Sequence, residues 1–346
     1  MLPFPLQKKP RAKVPAKAEK DAPLHERLGL TPDTLEAAYK AMLYARRFQE
    51  KTASLYQQQE ILGFCHLYIG QEAVAIGTKL ASLPGDDFIT SYRCHVLALA
   101  CGLSGEEVLG ELTGRTIGIS KGKGGSMHMF DPDKRFWGGH GIVAAQVPIG
   151  AGLAFAAKYK GEERVCYTFI GDGAMNAGQT FETFNMAALW KLPVVFIIEN
   201  NHWGMGTSVP RAAAGELYKR GEPFGIPGEK VDGMDMFAVF DAVEKASRHV
   251  REGKGPYLLE MDTYRYRGHS MSDPSKYRTR EEVEGVREAR DPIVRLQKYM
   301  EDNLNKSSEW FESIDEKIKK EVVRVAEVAT SAPRPDACEL WTDVGA

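Results

Sequence analysis

Two short apolar runs, separated by a segment with helical spacing, stand out in the middle of the chain. Residues 165–170 and 194–198 are rich in β-favouring side chains, and 179–190 between them has apolar residues at helical spacing. This order predicts a βαβ unit. Because the two strands of such a unit run parallel, their carboxyl ends lie at the same edge of the sheet.

Other periodic segments extend this unit into a larger domain. Thr31-Pro32 predicts a helix start, since threonine caps the first turn and proline fits the first helical position. Helices are predicted over 32–59, from about 71, from a capping box at 104–107, up to about 160, over 235–252, and near 280–304 and 310–331, with further strands over 88–90 and 257–262. The pattern favours an α/β fold with a parallel sheet flanked by helices and with helical N- and C-terminal extensions.

Composition narrows the classes of function. The net charge of −2 over 346 residues argues against a nucleic-acid-binding or membrane-surface protein, which normally carries a basic excess. No apolar stretch approaches the length of a membrane span. The five cysteines are scattered and form no Cys-x-x-Cys pair, so we expect free thiols in a reducing compartment.

The beginning of the chain differs from the rest. Residues 1–23 are rich in proline, lysine and alanine and predict a disordered basic arm, which fits a solubilising tail and an arm that docks on an acidic partner equally well. The arm is a poor mitochondrial presequence, so we expect the bacterial cytoplasm, with the mitochondrial matrix as the alternative. The remaining divisions are a helical segment over 24–62, the α/β domain over 63–275, and a helical extension and tail over 276–346.

Short polar signals follow the two strands of the central unit. Gly171-Asp172-Gly173 comes after the first strand and Asn200-Asn201 after the second, so Asp172 and Asn201 should lie close together at the sheet edge. A carboxylate, an amide oxygen and closely approaching backbone N–H groups suit a hard cation that carries a diphosphate, with Mg²⁺ the natural candidate. The alternative is an ordinary turn in which Asp172 caps a helix.

Two further stretches are candidates for active-site loops. Eight glycines fall between Gly114 and Gly141, too many for regular structure, and we expect a loop that becomes ordered around a ligand. The polar stretch 264–270 follows the predicted strand over 257–262.

Four strings of residues together resemble one enzyme family. They are Gly63-Phe64-Cys65-His66, the run from Lys121 to Met129, the run from Asn185 to Trp190, and the run from Tyr264 to Asp273. They resemble the alpha subunits of the thiamine-diphosphate-dependent pyruvate dehydrogenase component of 2-oxoacid dehydrogenase complexes. The resemblance extends from about Thr31 to the end of the chain and implies a thiamine-diphosphate-binding fold.

The resemblance also implies roles for individual residues. Asp172 and Asn201 match side-chain Mg²⁺ ligands, and Trp203, where the family often has tyrosine, matches a ligand through its backbone carbonyl. His66 and His269 match active-site histidines. The positions that match contacts to the cofactor are Tyr92, Arg93, Gly141, Val143, Gly171, Asp172, Gly173, Ala174, Asn201, Arg265 and His269. His25 and His249 fall on predicted surface helices and are expected to be solvated.

The implied activity is oxidative decarboxylation of pyruvate with transfer of the acetyl group to a lipoyl group. The resemblance implies thiamine diphosphate and Mg²⁺ as cofactors, a beta subunit in an α₂β₂ heterotetramer, and a lipoyl-bearing dihydrolipoyl acetyltransferase core as partners. The glutamate that activates the aminopyrimidine is expected on the beta subunit, so this chain alone should be inactive.

Three alternatives remain open at the level of sequence. A branched-chain 2-oxoacid or acetoin dehydrogenase alpha subunit would share Asp172, Asn201 and His269. A non-catalytic diphosphate-binding module is the alternative from a different class. Ser270 matches a position that is phosphorylated in mitochondrial relatives, and an unmodified loop serine is the interpretation we prefer.

Overall fold

A computed structural model describes residues 22–345 of the chain, so almost all of the predicted arm over 1–23 lies outside the described residues. The strands are β1 Asp87–Ser91, β2 Phe136–His140, β3 Cys166–Gly171, β4 Val194–Asn200, β5 Trp203–Gly204, β6 Thr207–Ser208, β7 Gly228–Asp232 and β8 Tyr257–Asp262. Six of them form one sheet in the order β2-β1-β3-β4-β8-β7, with every neighbouring pair parallel. The predicted parallel α/β fold is therefore confirmed.

The helices occur in long and short forms. The long ones are α2 Pro32–Gln57, α3 Glu72–Ala81, α5 Gly105–Leu112, α6 Gln146–Tyr159, α7 Gly178–Leu189, α9 Met236–Arg251, α10 Arg280–Arg290, α11 Pro292–Leu304 and α12 Ser308–Ser331, and the short ones are α1 Leu24–Arg27, α4 His95–Cys101 and α8 Val209–Ala212. Residues in 3₁₀ conformation form the segments Gly125–Met127, Pro132–Lys134, Gly173–Asn176, Leu217–Phe224 and Ala337–Trp341. No helix within residues 22–345 is both long and apolar enough to cross a membrane.

Both faces of the sheet are covered, which explains why β4 is apolar along almost its whole length. Val195 and Ile197 point into a large core beneath α2, α3, α9 and α12, whereas Val194, Phe196 and Ile198 point into a second core beneath α6 and α7. A strand that is buried on both faces has no solvent side to leave polar. The predicted extensions before and after the α/β domain meet here, because α2 packs against both α11 and α12.

Two expectations from the sequence are wrong. The glycine-rich stretch contains the edge strand β2 over Phe136–His140, where the pairing with β1 overrides the low β-propensity of glycine. His25 is not solvated: its side chain is buried, and its Nδ1 lies 2.9 Å from the hydroxyl of Tyr299 on α11. Local spacing could not reveal that α11 covers this turn. His249 is half-buried against the ring of Tyr257.

A buried ion triad joins α2 to the start of α3 and to the start of α11. The Arg46 guanidinium donates two hydrogen bonds to Glu72, at 2.6 and 2.9 Å, and one to Asp291 at 3.0 Å. Glu72 also accepts from the backbone N–H of Gly70, and Asp291 caps the first turn of α11. The charges are almost fully excluded from water, so each depends on the others for solvation.

Replacing Arg46 with alanine should destabilise the fold by about 3–5 kcal/mol, because two buried carboxylates lose their cation. The matched control is Arg47→Ala, whose guanidinium pairs with the partly exposed Asp315 and which should cost no more than about 1 kcal/mol. Chemical denaturation of both variants measures the difference, and equal midpoints for the two would contradict the assignment of Arg46 as the buried anchor.

Candidate active site

The cleft at the carboxyl ends of the strands is where the predicted site residues meet. It encloses about 930 Å³, and its walls include loops that follow β1, β2, β3, β4 and β8 together with the segment before α3 that carries His66. The thirteen predicted site residues all line it: His66, Tyr92, Arg93, Gly141, Val143, Gly171, Asp172, Gly173, Ala174, Asn201, Trp203, Arg265 and His269. The strand order reverses between β1 and β3, and such a switch point is the usual ligand site in parallel α/β sheets.

The floor of the cleft carries the predicted metal ligands. The side chains of Asp172 and Asn201 are buried. The Nδ2 of Asn201 donates to the Oε1 of Gln71 at 3.3 Å. Burial raises the pKa of Asp172, while the nearby Arg265 acts to lower it.

Arg265 reaches the same oxygens. Its Nη1 donates to the Oδ1 of Asn201 and to the backbone carbonyl of Trp203, both at 3.0 Å, and its Nη2 donates to the hydroxyl of Tyr277 at 2.7 Å. The guanidinium therefore holds two of the three oxygens that the sequence assigns to the metal. A cation that binds these oxygens would compete with the guanidinium and leave its N–H groups for phosphate oxygens.

A second buried guanidinium, that of Arg93, also lines the cleft. Arg93 is 5% exposed and donates to the backbone carbonyls of Leu67 and His269. Burial lowers the pKa of Arg93 to about 10, and the charge of Arg265 acts in the same direction. Two desolvated cations near each other are stabilised by an anion placed between them.

Three rings lie together in one wall of the cleft. The ring of His66 lies 4.4 Å from that of Tyr92 and 5.1 Å from that of His269, measured between centroids. Burial and then the charge of Arg93 lower the pKa of His66 to about 2 and that of His269 to about 4. Both imidazoles are therefore neutral at pH 7, and each can accept or donate a hydrogen bond.

The loop that carries His269 is tied to Arg265. The backbone N–H of His269 donates to Asp273 at 2.6 Å, and the Tyr277 hydroxyl donates to the same carboxylate at 2.7 Å. Since Tyr277 also accepts from Arg265, one chain of hydrogen bonds joins the guanidinium to the backbone of the histidine. Ser270 lies on this loop, lines the cleft, and shares a hydrogen bond with Ser272.

Sequence reasoning missed Glu199 and Tyr68. Glu199 is buried at the end of β4 and faces the cleft, and the hydroxyl of Tyr68 donates to it. Burial raises the pKa of Glu199 to about 7. A charged residue that ends an otherwise apolar strand was a signal for Glu199, but nothing in the spacing placed Tyr68 next to it.

The residues of the cleft fit a metal-bound diphosphate. Within residues 22–345 no group of three or more His, Cys, Asp or Glu side chains could hold a metal, but the predicted set uses one carboxylate, one amide and one backbone carbonyl. Two buried polar atoms of the cleft wall, Nδ1 of His66 and Nε2 of Gln71, have no hydrogen-bond partner within residues 22–345. At Gly171, a Cβ would meet no atom within 4 Å, so the glycine leaves open space in the cleft.

Comparison with known proteins gives a consistent result. A model of the dehydrogenase E1 component family matches residues 39–338. The chain is 54% identical over 308 residues to a pyruvate dehydrogenase E1 component subunit alpha from Rhizobium meliloti. The aligned region covers 89% of this chain and 88% of the relative. The chain is 53% identical to the subunit of the same name from Rickettsia felis, over 89% of this chain and 94% of the relative, and 53% identical to the mitochondrial somatic form from Bos taurus, over 87% and 77%.

Acidification should destabilise the cofactor-free protein through His66. The pKa of His66 is lowered on folding, so the unfolded state binds the proton below about pH 6.5 and the folded state does not. The loss should reach about 2 kcal/mol by pH 5 and vanish above pH 7. Denaturation of the wild type and of His66→Asn between pH 5 and 7.5 checks this: the variant should show the shallower pH dependence, and parallel curves would contradict a neutral buried His66.

Proposed function

Because the chain belongs to the dehydrogenase E1 component family, we propose that it acts as the alpha subunit of a pyruvate dehydrogenase. In this role it takes part in the oxidative decarboxylation of pyruvate and the reductive acetylation of the lipoyl group of the acetyltransferase. One observation carries the proposal: predicted site residues from six separate segments of the chain converge on a single cleft that has hard oxygen ligands on its floor and two buried guanidiniums beside them.

Thiamine diphosphate is the cofactor of this family, and when bound it supplies the carbanion and the electron sink for decarboxylation. The proposed Mg²⁺ ligands are Asp172, Asn201 and the backbone carbonyl of Trp203. Backbone N–H groups of Gly173 and Ala174 would donate to the diphosphate, and Arg93 and Arg265 would offset its charge. Charge-assisted hydrogen bonds of this type are each worth about 1.5–3 kcal/mol.

The two histidines act on the substrate side of the cleft. His66 and His269 are neutral and face the cleft next to Tyr92, so they can donate a hydrogen bond to an oxygen that gains negative charge and can hold or pass a proton. Arg93 helps to place His269, since it donates to the backbone carbonyl of that residue. The backbone of Gly141 and Val143 would contact the planar ring of the cofactor.

The chain works with partners. Phe64, Ile142 and Val143 are 66%, 76% and 52% exposed beside the cleft, which suits a mouth that the beta subunit covers. The lipoyl-bearing acetyltransferase core receives the acetyl group. For the compartment we propose the bacterial cytoplasm, and the five free cysteines of the chain suit such a reducing environment.

Calorimetric titration of thiamine diphosphate with Mg²⁺ into the chain, co-expressed with its beta subunit, tests the function. Pyruvate turnover is followed in the same sample, with branched-chain 2-oxoacids as competing substrates. Binding that depends on Mg²⁺, together with turnover that prefers pyruvate and needs both subunits, is the expected result. A folded complex that neither binds the cofactor nor turns over pyruvate would contradict the proposal.

Replacing Asp172 with alanine should abolish Mg²⁺-dependent cofactor binding, because a hard anionic ligand is lost while the charge of the diphosphate remains. The matched control is Asp241→Ala, which removes an exposed carboxylate on α9 and should leave binding unchanged. Calorimetry measures both variants, and near-normal affinity in the Asp172 variant would refute the metal assignment.

Replacing His269 with alanine should lower kcat by about a hundredfold or more, since a proton-transfer group positioned at the substrate is removed. The melting temperature should change little, because the His269 side chain is only half-buried. Steady-state kinetics with saturating cofactor measures the effect. A wild-type kcat would exclude His269 from the catalytic machinery.

A further inference from the structure

Glu111, near the end of α5, has a carboxylate that accepts four backbone N–H groups and that no catalytic role explains. Its side chain is completely buried. Its Oε2 accepts the backbone N–H groups of Ser120 and Gly122, at 2.8 and 2.9 Å. Its Oε1 accepts those of Gly124 and Gly125, at 2.6 and 3.0 Å.

Four donors match the full acceptor capacity of a carboxylate, which has two oxygens with two lone pairs each. Successive backbone N–H groups that point at one centre form a nest for an anion. In this chain the anion is a side chain of the protein itself. The segment 118–125 is thus ordered around an internal carboxylate, whereas the sequence led us to expect order around a ligand.

Glycines allow the segment 118–125 to close around the carboxylate of Glu111. A Cβ at Gly118 would lie 2.6 Å from the backbone nitrogen of Glu111 and would also strike its carboxylate. A Cβ at Gly124 would strike the carbonyl oxygen of His128, and Gly122 and Gly125 have φ values of +76° and +62°. Residues with larger side chains would therefore keep the segment from closing around Glu111.

The segment continues directly into the cleft wall. Gly125 opens the 3₁₀ turn Gly125–Met127, and Met127 lines the cleft. The ring of His128 lies against Gly141, where a Cβ would be 3.1 Å from Nε2. The positions of Met127 and Gly141 in the cleft wall therefore depend on where residues 124–128 lie.

A second contact, from His95 to Ser126, holds the turn Gly125–Met127 but does not reach residues 118–124. The Nε2 of His95 lies 2.9 Å from the Oγ of Ser126, and the opposite ring nitrogen lies 3.2 Å from the amide of Gln49. This buried link fixes Ser126 alone. On the outer side, Lys121 and Lys123 pair with Asp343 at the surface, where such pairs contribute little.

We propose that Glu111 is a positioning residue for the cofactor site: its carboxylate folds the segment 118–125 and thereby places Met127 and the His128–Gly141 contact in the cleft wall. The identity of the cofactor in this inference rests on the proposed function. Neutralising Glu111 should loosen the wall without touching any group that contacts the metal or the diphosphate.

The test uses Glu111→Gln in the complex with the beta subunit. The amide has only one acceptor oxygen and turns its own N–H groups towards the donors of the segment, so the nest cannot close. Hydrogen exchange of the backbone amides over 115–129, measured without cofactor, reports the loosening. Calorimetry with thiamine diphosphate and Mg²⁺ reports affinity, which should fall about ten- to hundredfold, as for the loss of a group that supports a ligand shell.

Two further variants serve as a control and as an intermediate change. Glu106→Gln is the matched control, because it makes the same change on the same helix at a partly exposed residue that pairs with Arg324. It should leave both readouts at wild-type values. Glu111→Asp keeps the charge but is shorter, so exchange and affinity should fall between those of the wild type and Glu111→Gln.

The outcomes separate a positioning role from a structural one. Faster exchange over 115–129 together with weaker cofactor binding, both graded from Asp to Gln, supports the proposal. Unchanged exchange in Glu111→Gln, or faster exchange with wild-type affinity, overturns it. Should Glu111→Gln fail to fold, Glu111→Asp decides by the same two readouts. A wild-type complex that does not bind thiamine diphosphate overturns the proposed function, and the exchange comparison, which needs no ligand, then decides whether Glu111 orders the segment.

Discussion

The parallel pairing of the six sheet strands is the constraint on which the rest of the molecule depends. Strands that all run in one direction deliver their carboxyl ends to one edge, so loops that are far apart in sequence must meet there. Parallel strands also need helical crossovers, and these helices bury both faces of the sheet. The edge with the carboxyl ends is where polar groups from several loops gather around the open cleft.

The electrostatics of this edge favour an anionic ligand. Arg93 and Arg265 are both buried, and their charges help to keep His66 and His269 neutral. A bound diphosphate would offset the two guanidinium charges and so remove part of what lowers the pKa of each histidine. The protonation of His66 and His269 is thus coupled to binding of the diphosphate. This coupling acts through charge and needs no movement of the backbone.

The sequence predicted the parts of the fold whose signals are local. The apolar runs 165–170 and 194–198 became β3 and β4, because buried strands are recognisable from consecutive β-favouring residues. The strand over Phe136–His140 was missed because its stability comes from pairing with β1, which leaves no mark on its own glycine-rich sequence. The candidate site residues were found through spacing and resemblance, whereas Glu199, Tyr68 and Glu111 act through contacts that only the folded chain creates. The roles of the site residues stay predictions until variants are measured.

The packing of α2 against α12 has a consequence for the synthesis of the protein on the ribosome. α2 leaves the ribosome early, yet the helix that covers part of its apolar face begins only at Ser308. At synthesis rates of about 5–20 residues per second, the interval between the two helices lasts roughly tens of seconds. Throughout that time the part of the α2 surface that α12 covers lacks its final partner, so we expect this apolar surface to stay exposed on the nascent chain until α12 has been made.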